Sequence, residues 1–169
     1  PVQNSTLVET GDHLMGLVTM GPAYEAWTGV SELAPGVEHK SLRALFPMYQ
    51  TPFQVVTLAS SGIESVADFD GKRVSVGPAG GTAATYWPRY FEILGVSPEI
   101  SYSGANDAVS QVKDGLIDAF AFAAGVPIAA FAQIAAENDV RIFGFTEEQR
   151  GQILTQMPEM AAFDAPGGL

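Results

Sequence analysis

Residues 72–85 have the sequence KRVSVGPAGGTAAT, in which a short apolar run leads through a glycine-rich turn into a helix-forming segment. The run containing Val74 and Val76 is typical of a buried strand. Thr82, in front of a segment with helical apolar spacing, is typical of a helix N-cap. A strand that enters a helix through a tight turn is a building unit of α/β folds, so this segment predicts that class.

The same alternation of apolar runs and helical patterns extends along the chain, and it predicts a mainly parallel sheet in a layered α/β architecture. The predicted strands are residues 14–19, 42–48, 53–58, 73–76, 100–102, 119–123 and 140–145. The predicted helices are residues 82–94, 105–114 and 128–136. Gly95 is placed to end the first of these helices, whereas Pro88 predicts a kink or a false start within it.

Residues 119–136 form an 18-residue stretch without a charged side chain, which is near the lower length limit of a membrane-spanning helix. Gly125 and Pro127 interrupt it. The pattern therefore favours a buried strand, a turn and a helix with Pro127 at its first position over a membrane span.

Composition excludes several classes of function. The 169 residues suffice for one domain or two small lobes, and the formal net charge of −11 repels polyanions, so we expect no nucleic-acid partner. Cysteine is absent, which excludes disulfides, thiolate metal sites and cysteine nucleophiles. The two histidines, His13 and His39, are far apart in sequence, so we expect no metal site, and no motif indicates a cofactor.

The glycine-rich turn has the chemistry of an anion cradle. Its glycines allow close approach of the backbone to a ligand, and the first amides of the following helix have no intrahelical partner. Nucleotide motifs fail on spacing, because a dinucleotide fingerprint needs glycine where Ala79 stands, and a Walker A loop needs Gly-Lys-Ser/Thr where residues 81–83 read GTA. A tight turn that binds nothing is the alternative.

The context of this turn resembles a known family. Residues 61–77, SGIESVADFDGKRVSVG, resemble a segment of type II periplasmic solute-binding proteins. The order of GPAGGT (77–82), YFEILGV (90–96), KDGLIDAF (113–120) and AGVP (124–127) is similar to that in the TAXI family of TRAP-transporter solute receptors. The upstream segments 16–29 and 42–49 fit the same family, so the resemblance extends over nearly the whole chain.

The resemblance implies an α/β, periplasmic-binding-protein-like (type II) two-lobed fold, with the second lobe complete and the first lobe partial. Residues 1–58 would be part of the first lobe, 59–145 the second lobe with the ligand turn, and 146–169 a truncated return to the first lobe. Because the chain starts at Pro1 and stops on an apolar residue, we expect it to be part of a longer protein.

The resemblance also implies a function without catalysis. Family members are periplasmic or extracytoplasmic receptors that close on a small carboxylate ligand, an organic acid or an amino acid such as glutamate, and pass it to the membrane permease subunits of a TRAP transporter. Carried over by position, the ligand-binding residues are Tyr49, Gly77, Pro78, Ala79, Gly80, Gly81, Thr82, Ala83, Gly125, Val126 and Pro127. The segment 20–24 is where another first-lobe loop would enter the cleft.

Alternatives remain open at this stage. A small α/β enzyme could use the same cradle for a carboxylate or phosphate substrate, and the effector-sensing domain of a transcription regulator would share the two-lobed shape. Tyr49 could equally be an aromatic residue packed on the core. Arg73 could clamp a carboxylate, but its place at a strand start favours a solvated sheet edge.

Overall fold

The computed structural model describes residues 2–11 and 14–164. His13 and the last part of the predicted return segment, residues 165–169, lie outside the described residues. Six α-helices and five β-strands follow in chain order as α1 (Val2–Thr10), α2 (Met20–Thr28), β1 (Phe53–Leu58), β2 (Arg73–Ser75), α3 (Thr82–Leu94), β3 (Glu99–Ser101), α4 (Ala105–Lys113), β4 (Ala119–Ala123), α5 (Ala129–Glu137), β5 (Val140–Phe143) and α6 (Glu147–Gln156). The α/β class predicted from the sequence is confirmed.

The five strands form one mixed sheet in the order β3-β2-β4-β1-β5. β2 pairs in parallel with β3 and β4, whereas β1 is antiparallel to both β4 and β5. The prediction of a mainly parallel sheet is therefore wrong. Short apolar runs identify buried strands but contain no information about their direction, which depends on how the connections cross the sheet.

Two predicted strands, residues 14–19 and 42–48, do not form. Both segments are without regular structure, and their apolar side chains are exposed, as in Met15 at 82% and Phe46 at 71%. A strand is stable only when a neighbouring strand satisfies its backbone N–H and C=O groups. Within the part of the chain that the structure describes, neither segment has such a neighbour.

The sheet has a hydrophobic core on each face. On one face, α3 and α6 pack over Val55 and Val74, and fully buried Trp87 and Tyr90 fill the space between helix and sheet. On the other face, α4 and α5 pack over Val56 and Phe120. Each of these buried apolar side chains contributes about 1.5–3 kcal/mol through its removal from water.

The N-cap of helix α3 lies one residue earlier than the sequence predicts. Gly81 is the N-cap and Thr82 is the first helical residue, so the prediction of Thr82 as the cap is wrong. The Thr82 hydroxyl bonds to Thr19 instead of capping its own helix. Gly95 ends the helix in the left-handed region at φ 68°, as predicted, and the helix continues through Pro88, which contradicts a false start.

The charge-free stretch 119–136 consists of β4, a turn and the start of α5, as predicted. Ile128 is the N-cap of α5, so Pro127 precedes the cap and does not occupy the first helical position that was predicted for it. None of the helices in the described part of the chain combines the length and the apolar character needed to cross a membrane.

Candidate ligand site at one sheet edge

Strand directions bring the predicted ligand segments to one edge of the sheet. β2 and β4 are parallel, so the glycine-rich turn after β2 and the segment 124–127 after β4 leave the sheet at the same side. β1 runs the other way, and Phe53 at its start lies opposite Ala123 at the end of β4. The chain before β1, which includes Tyr49, therefore reaches the same edge.

The glycine-rich turn is built around two residues with positive φ, Gly77 at 81° and Gly80 at 76°. At Gly77 a Cβ atom would stand 2.9 Å from the Phe122 ring, so only glycine allows this approach. At Gly80 a Cβ atom would meet nothing within 4 Å. Gly77 is buried, whereas Pro78, Ala79 and Gly80 are exposed, which leaves the tip of the turn accessible to a ligand.

The turn presents backbone amides at the N-terminus of α3. The Gly81 amide already donates to the Pro78 carbonyl at 3.0 Å, and Pro78 has no N–H, so neither offers a donor. The first intrahelical bond of α3 runs from the Thr85 amide to the Gly81 carbonyl, so the amides of Thr82, Ala83 and Ala84 have no intrahelical acceptor. Thr82 and Ala83, which belong to the predicted site, are the first two of these amides, and the positive end of the helix dipole lies behind them.

Tyr49 and Gly125 are in direct contact at this edge. A Cβ atom at Gly125 would stand 2.9 Å from Cδ2 of Tyr49, so the tyrosine ring lies directly against the glycine. Tyr49 is 66% exposed and is not part of either core, which contradicts the alternative of a packing aromatic. Val126 is half-buried and Pro127 is exposed in the same segment.

The start of α2 lies against the start of α3. Thr19, the N-cap residue of α2, has its hydroxyl oxygen 2.9 Å from the hydroxyl oxygen of Thr82. Two residues further, Gly21 contacts the buried hydroxyl group of Tyr86 so closely that a Cβ atom would overlap it. The segment 20–24 thus begins beside the glycine-rich turn, but it is the first part of helix α2 and not the loop that the family resemblance implies.

An ionic network around the buried carboxylate of Glu25 joins these two helices, and the sequence analysis missed it. Glu25 of α2 is 4% exposed and accepts hydrogen bonds from the Tyr86 hydroxyl at 2.8 Å and from Arg89. Arg89 also donates to Glu32 at 3.0 Å, and its guanidinium lies 5.0 Å from the centre of the Tyr86 ring. Burial, together with the hydrogen bond to Glu25, raises the pKa of Tyr86. The spacing of Tyr86 and Arg89 places both on one helix face, but nothing local identifies their partner.

Gln54 is a second polar residue that the sequence analysis did not single out. It is 7% exposed and lies opposite Phe122, whose ring contacts Gly77. Its side-chain nitrogen has no hydrogen-bond partner among the described residues. A polar residue at the start of β1 was visible in the sequence, but its burial depends on the sheet around it.

Arg73 lies at the opposite end of β2 from the glycine-rich turn. Its guanidinium donates to both carboxylate oxygens of Asp118, at 2.7 and 3.1 Å, and to the Gly115 carbonyl at 3.0 Å. The hydrogen bonds from Arg73 hold the pKa of the Asp118 carboxyl below its usual value. These bonds agree with a structural role and not with a carboxylate clamp at the turn. The prediction that Arg73 lies at a sheet edge is wrong, because β2 pairs with β3 on one side and β4 on the other.

No cluster of three or more histidine, aspartate or glutamate side chains suited to a metal ion occurs within residues 2–11 and 14–164. His39 is 2% exposed, and its Nε2 lies 3.5 Å from the hydroxyl oxygen of Thr6. It therefore packs against the two N-terminal helices, and its backbone amide donates to the Ala26 carbonyl of α2 at 2.9 Å.

Comparison with known proteins gives a family match over the whole sequence. The model of the NMT1-like family matches residues 1–169. Among solved structures, a periplasmic binding protein of Brucella ovis with glutathione bound is 19% identical, with a TM-score of 0.49 over 59% of this chain and 31% of that one. A substrate-binding protein of an ABC uptake transporter from Streptococcus pneumoniae with bound histidine is 25% identical, with a TM-score of 0.48 over 60% of this chain and 43% of that one.

A third structure, the GluR0 ligand-binding core of Nostoc punctiforme with L-glutamate, is 24% identical, with a TM-score of 0.45 over 60% of this chain and 44% of that one. This chain therefore spans less than half the length of each of these three structures.

Proposed function

The chain belongs to the NMT1-like family, and from that premise we propose that it forms part of a solute-binding receptor that captures a small carboxylate for a membrane transporter. The observation that supports this proposal most is the exposed glycine-rich turn at the N-terminus of α3. It lies at the sheet edge where Tyr49 meets Gly125.

In this proposal the carboxylate oxygens accept hydrogen bonds from the backbone amides of Thr82 and Ala83. Gly77 and Gly80 allow the turn to curve towards the ligand, and Gly81 with Pro78 and Ala79 fixes its shape. Gly125, Val126, Pro127 and Tyr49 form the facing wall. Because the net charge is −11, long-range attraction does not favour an anion, and capture depends on these short-range donors.

We also propose that the site lies between two lobes. By the resemblance, residues 1–58 and 146–169 would belong to the first lobe and 59–145 to the second. Because β1 pairs with β4 and β5, and Ile153 of α6 lies in the core under α3, we propose that the second lobe extends over residues 53–157. The exposed apolar side chains between residues 14 and 49 support this division, because part of a lobe leaves apolar surface uncovered. Ligand binding would then close the lobes by a hinge movement.

The ligand would be an organic acid or an amino acid such as glutamate, and the protein would act outside the cytoplasm without catalysing a reaction. The motif order that resembles the TAXI family supports a TRAP-type permease as the membrane partner. An ABC importer is the alternative, since two of the compared structures are described as ABC-transporter proteins. Glutathione, histidine and L-glutamate, the ligands of the three compared structures, are suitable probes alongside succinate.

A matched pair of glycine substitutions tests the cradle. Gly80 and Gly62 both have positive φ, 76° and 73°, and a Cβ atom would meet nothing within 4 Å at either position. Gly80→Val and Gly62→Val should therefore each cost about 1–2 kcal/mol of stability through the same backbone strain. Only Gly80 lies in the proposed cradle.

Isothermal titration of the full-length protein with the four probes should show binding by the wild type and by Gly62→Val. For Gly80→Val the dissociation constant should rise at least about tenfold, because the new side chain would stand at the exposed tip of the turn and keep the carboxylate from one of the Thr82 and Ala83 amides. Equal affinity of the two variants would show that the turn is not part of the binding site. Failure of the wild type to bind any of the probes would contradict the receptor proposal.

A further inference from the structure

Helices α2 and α3 are joined through side chains, and the order of their contacts indicates that they run in the same general direction. Their contacts follow the same order along both chains, from Thr19 with Thr82 at the start, through Gly21 with Tyr86, to Glu25 with Arg89. Parallel alignment places both N-termini at one end, next to the glycine-rich turn. Two parallel helix dipoles repel each other, and an anion at their shared positive end relieves that repulsion.

The network around Glu25 holds the two helices together. The carboxylate is 4% exposed, and the two groups that donate to it, the Tyr86 hydroxyl and the Arg89 guanidinium, both belong to α3. A buried carboxylate that loses its partners is strongly unfavourable. The network therefore favours the one position of α2 in which Glu25 meets both donors.

Arg89 is too far from the turn to touch a ligand there. It lies seven residues after Thr82, which corresponds to about 10 Å along a helix. Any effect of Arg89 on binding must therefore pass through the position of α2. We propose that Glu25 and Arg89 are positioning residues, which hold the first turn of α2 beside the first turn of α3 so that the ligand carboxylate meets two helix N-termini. This inference rests on the proposed function.

Substitution of Arg89 tests the inference, with an exposed ion pair between two other helices as the control. Arg89→Met removes the ion pair between α2 and α3, whereas Lys113→Met removes an ion pair with Glu137 that joins α4 to α5 within the other face of the sheet. Titration of the full-length protein with L-glutamate at 25 °C should show a dissociation constant raised about 3- to 30-fold by Arg89→Met. Lys113→Met should leave it unchanged, and Arg89→Lys, which keeps the charge, should restore part of the loss.

Gly21→Ala provides an independent variant that retains every charge. The new Cβ atom would overlap the buried Tyr86 hydroxyl and push the start of α2 away from α3. Its affinity for L-glutamate should fall as in Arg89→Met, and hydrogen exchange in residues 20–28 should accelerate without ligand. If Arg89→Met does not fold, Gly21→Ala decides the question.

The outcomes separate this inference from the proposed function. A lower melting temperature with unchanged affinity in both Arg89→Met and Gly21→Ala would mean that the network is only structural, which overturns the inference and leaves the receptor function standing. If the wild type does not bind L-glutamate or the other three probes, both proposals fall.

Discussion

Residues 53–157 and residues 14–49 contain similar apolar side chains but differ in how far these side chains are buried. In the first region, all of which the structure describes, large apolar side chains are mostly buried, and the exposed ones are Ile100, Tyr102 and Leu116. In the second region most of them are exposed, from Leu14 to Tyr49. The five strands all lie in the first region. Apolar runs thus form a core where partner strands are present and remain on the surface where they are absent.

The largest difference in stability that we expect between the two regions concerns two phenylalanines. Phe120 is fully buried in β4 and contacts Phe122 and Phe131, whereas Phe46 is 71% exposed. Phe120→Ala should lower the free energy of unfolding by about 3–5 kcal/mol, because it removes apolar burial and leaves a cavity. Phe46→Ala should change it by less than about 0.5 kcal/mol. Urea unfolding of both variants measures the difference, and a cost at Phe46 close to that at Phe120 would show that residues 42–48 are buried in solution.

Two carboxylates provide a smaller and pH-dependent contrast between the same regions. The Asp118 carboxylate accepts from the side chain and the backbone amide of Arg73, and its pKa lies below the usual value. A carboxyl with a lower pKa in the folded state stabilises the fold above the unfolded-state pKa and loses that effect as the pH falls through the folded-state pKa.

Asp118→Asn should therefore cost about 1 kcal/mol at pH 7, and its difference from the wild type should shrink as the pH falls from about 4 towards 2. Glu38, which lies 3.6 Å from Lys40 on the exposed surface of the N-terminal region, is the control. Glu38→Gln should change stability by less than about 0.5 kcal/mol at either pH. A cost for Asp118→Asn that does not depend on pH would contradict the role of the ion pair.

Much of the sheet region could be predicted from the sequence because its signals are local. Apolar runs identified the five observed strands, and residues 105–114 were identified as a helix from their apolar spacing. Strand direction could not be predicted, because it depends on the path of the connections and not on composition. The strands expected at residues 14–19 and 42–48 fail for a related reason, since strand propensity alone supplies no partner.

The candidate site also has one part that the sequence predicts and one part that it does not. The glycine-rich turn could be predicted because glycines at a strand–helix junction indicate a tight turn with positive φ. Gly77 and Gly80 both have positive φ. The network of Glu25, Tyr86 and Arg89 was not recognisable, because its members are separated by about sixty residues and meet only when α2 packs on α3. Their roles in ligand binding stay predictions.

Backbone amide shifts in the full-length protein test the central claim most directly. In a 15N-labelled sample titrated with L-glutamate, succinate, histidine or glutathione, the largest shift changes should occur at Thr82 and Ala83, with smaller ones at Gly80 and Gly125. The loop at Gly62, which has similar backbone geometry to Gly80, should not respond. Changes confined to other parts of the protein would contradict the assignment of the turn, and no change with any of these probes would contradict the receptor function.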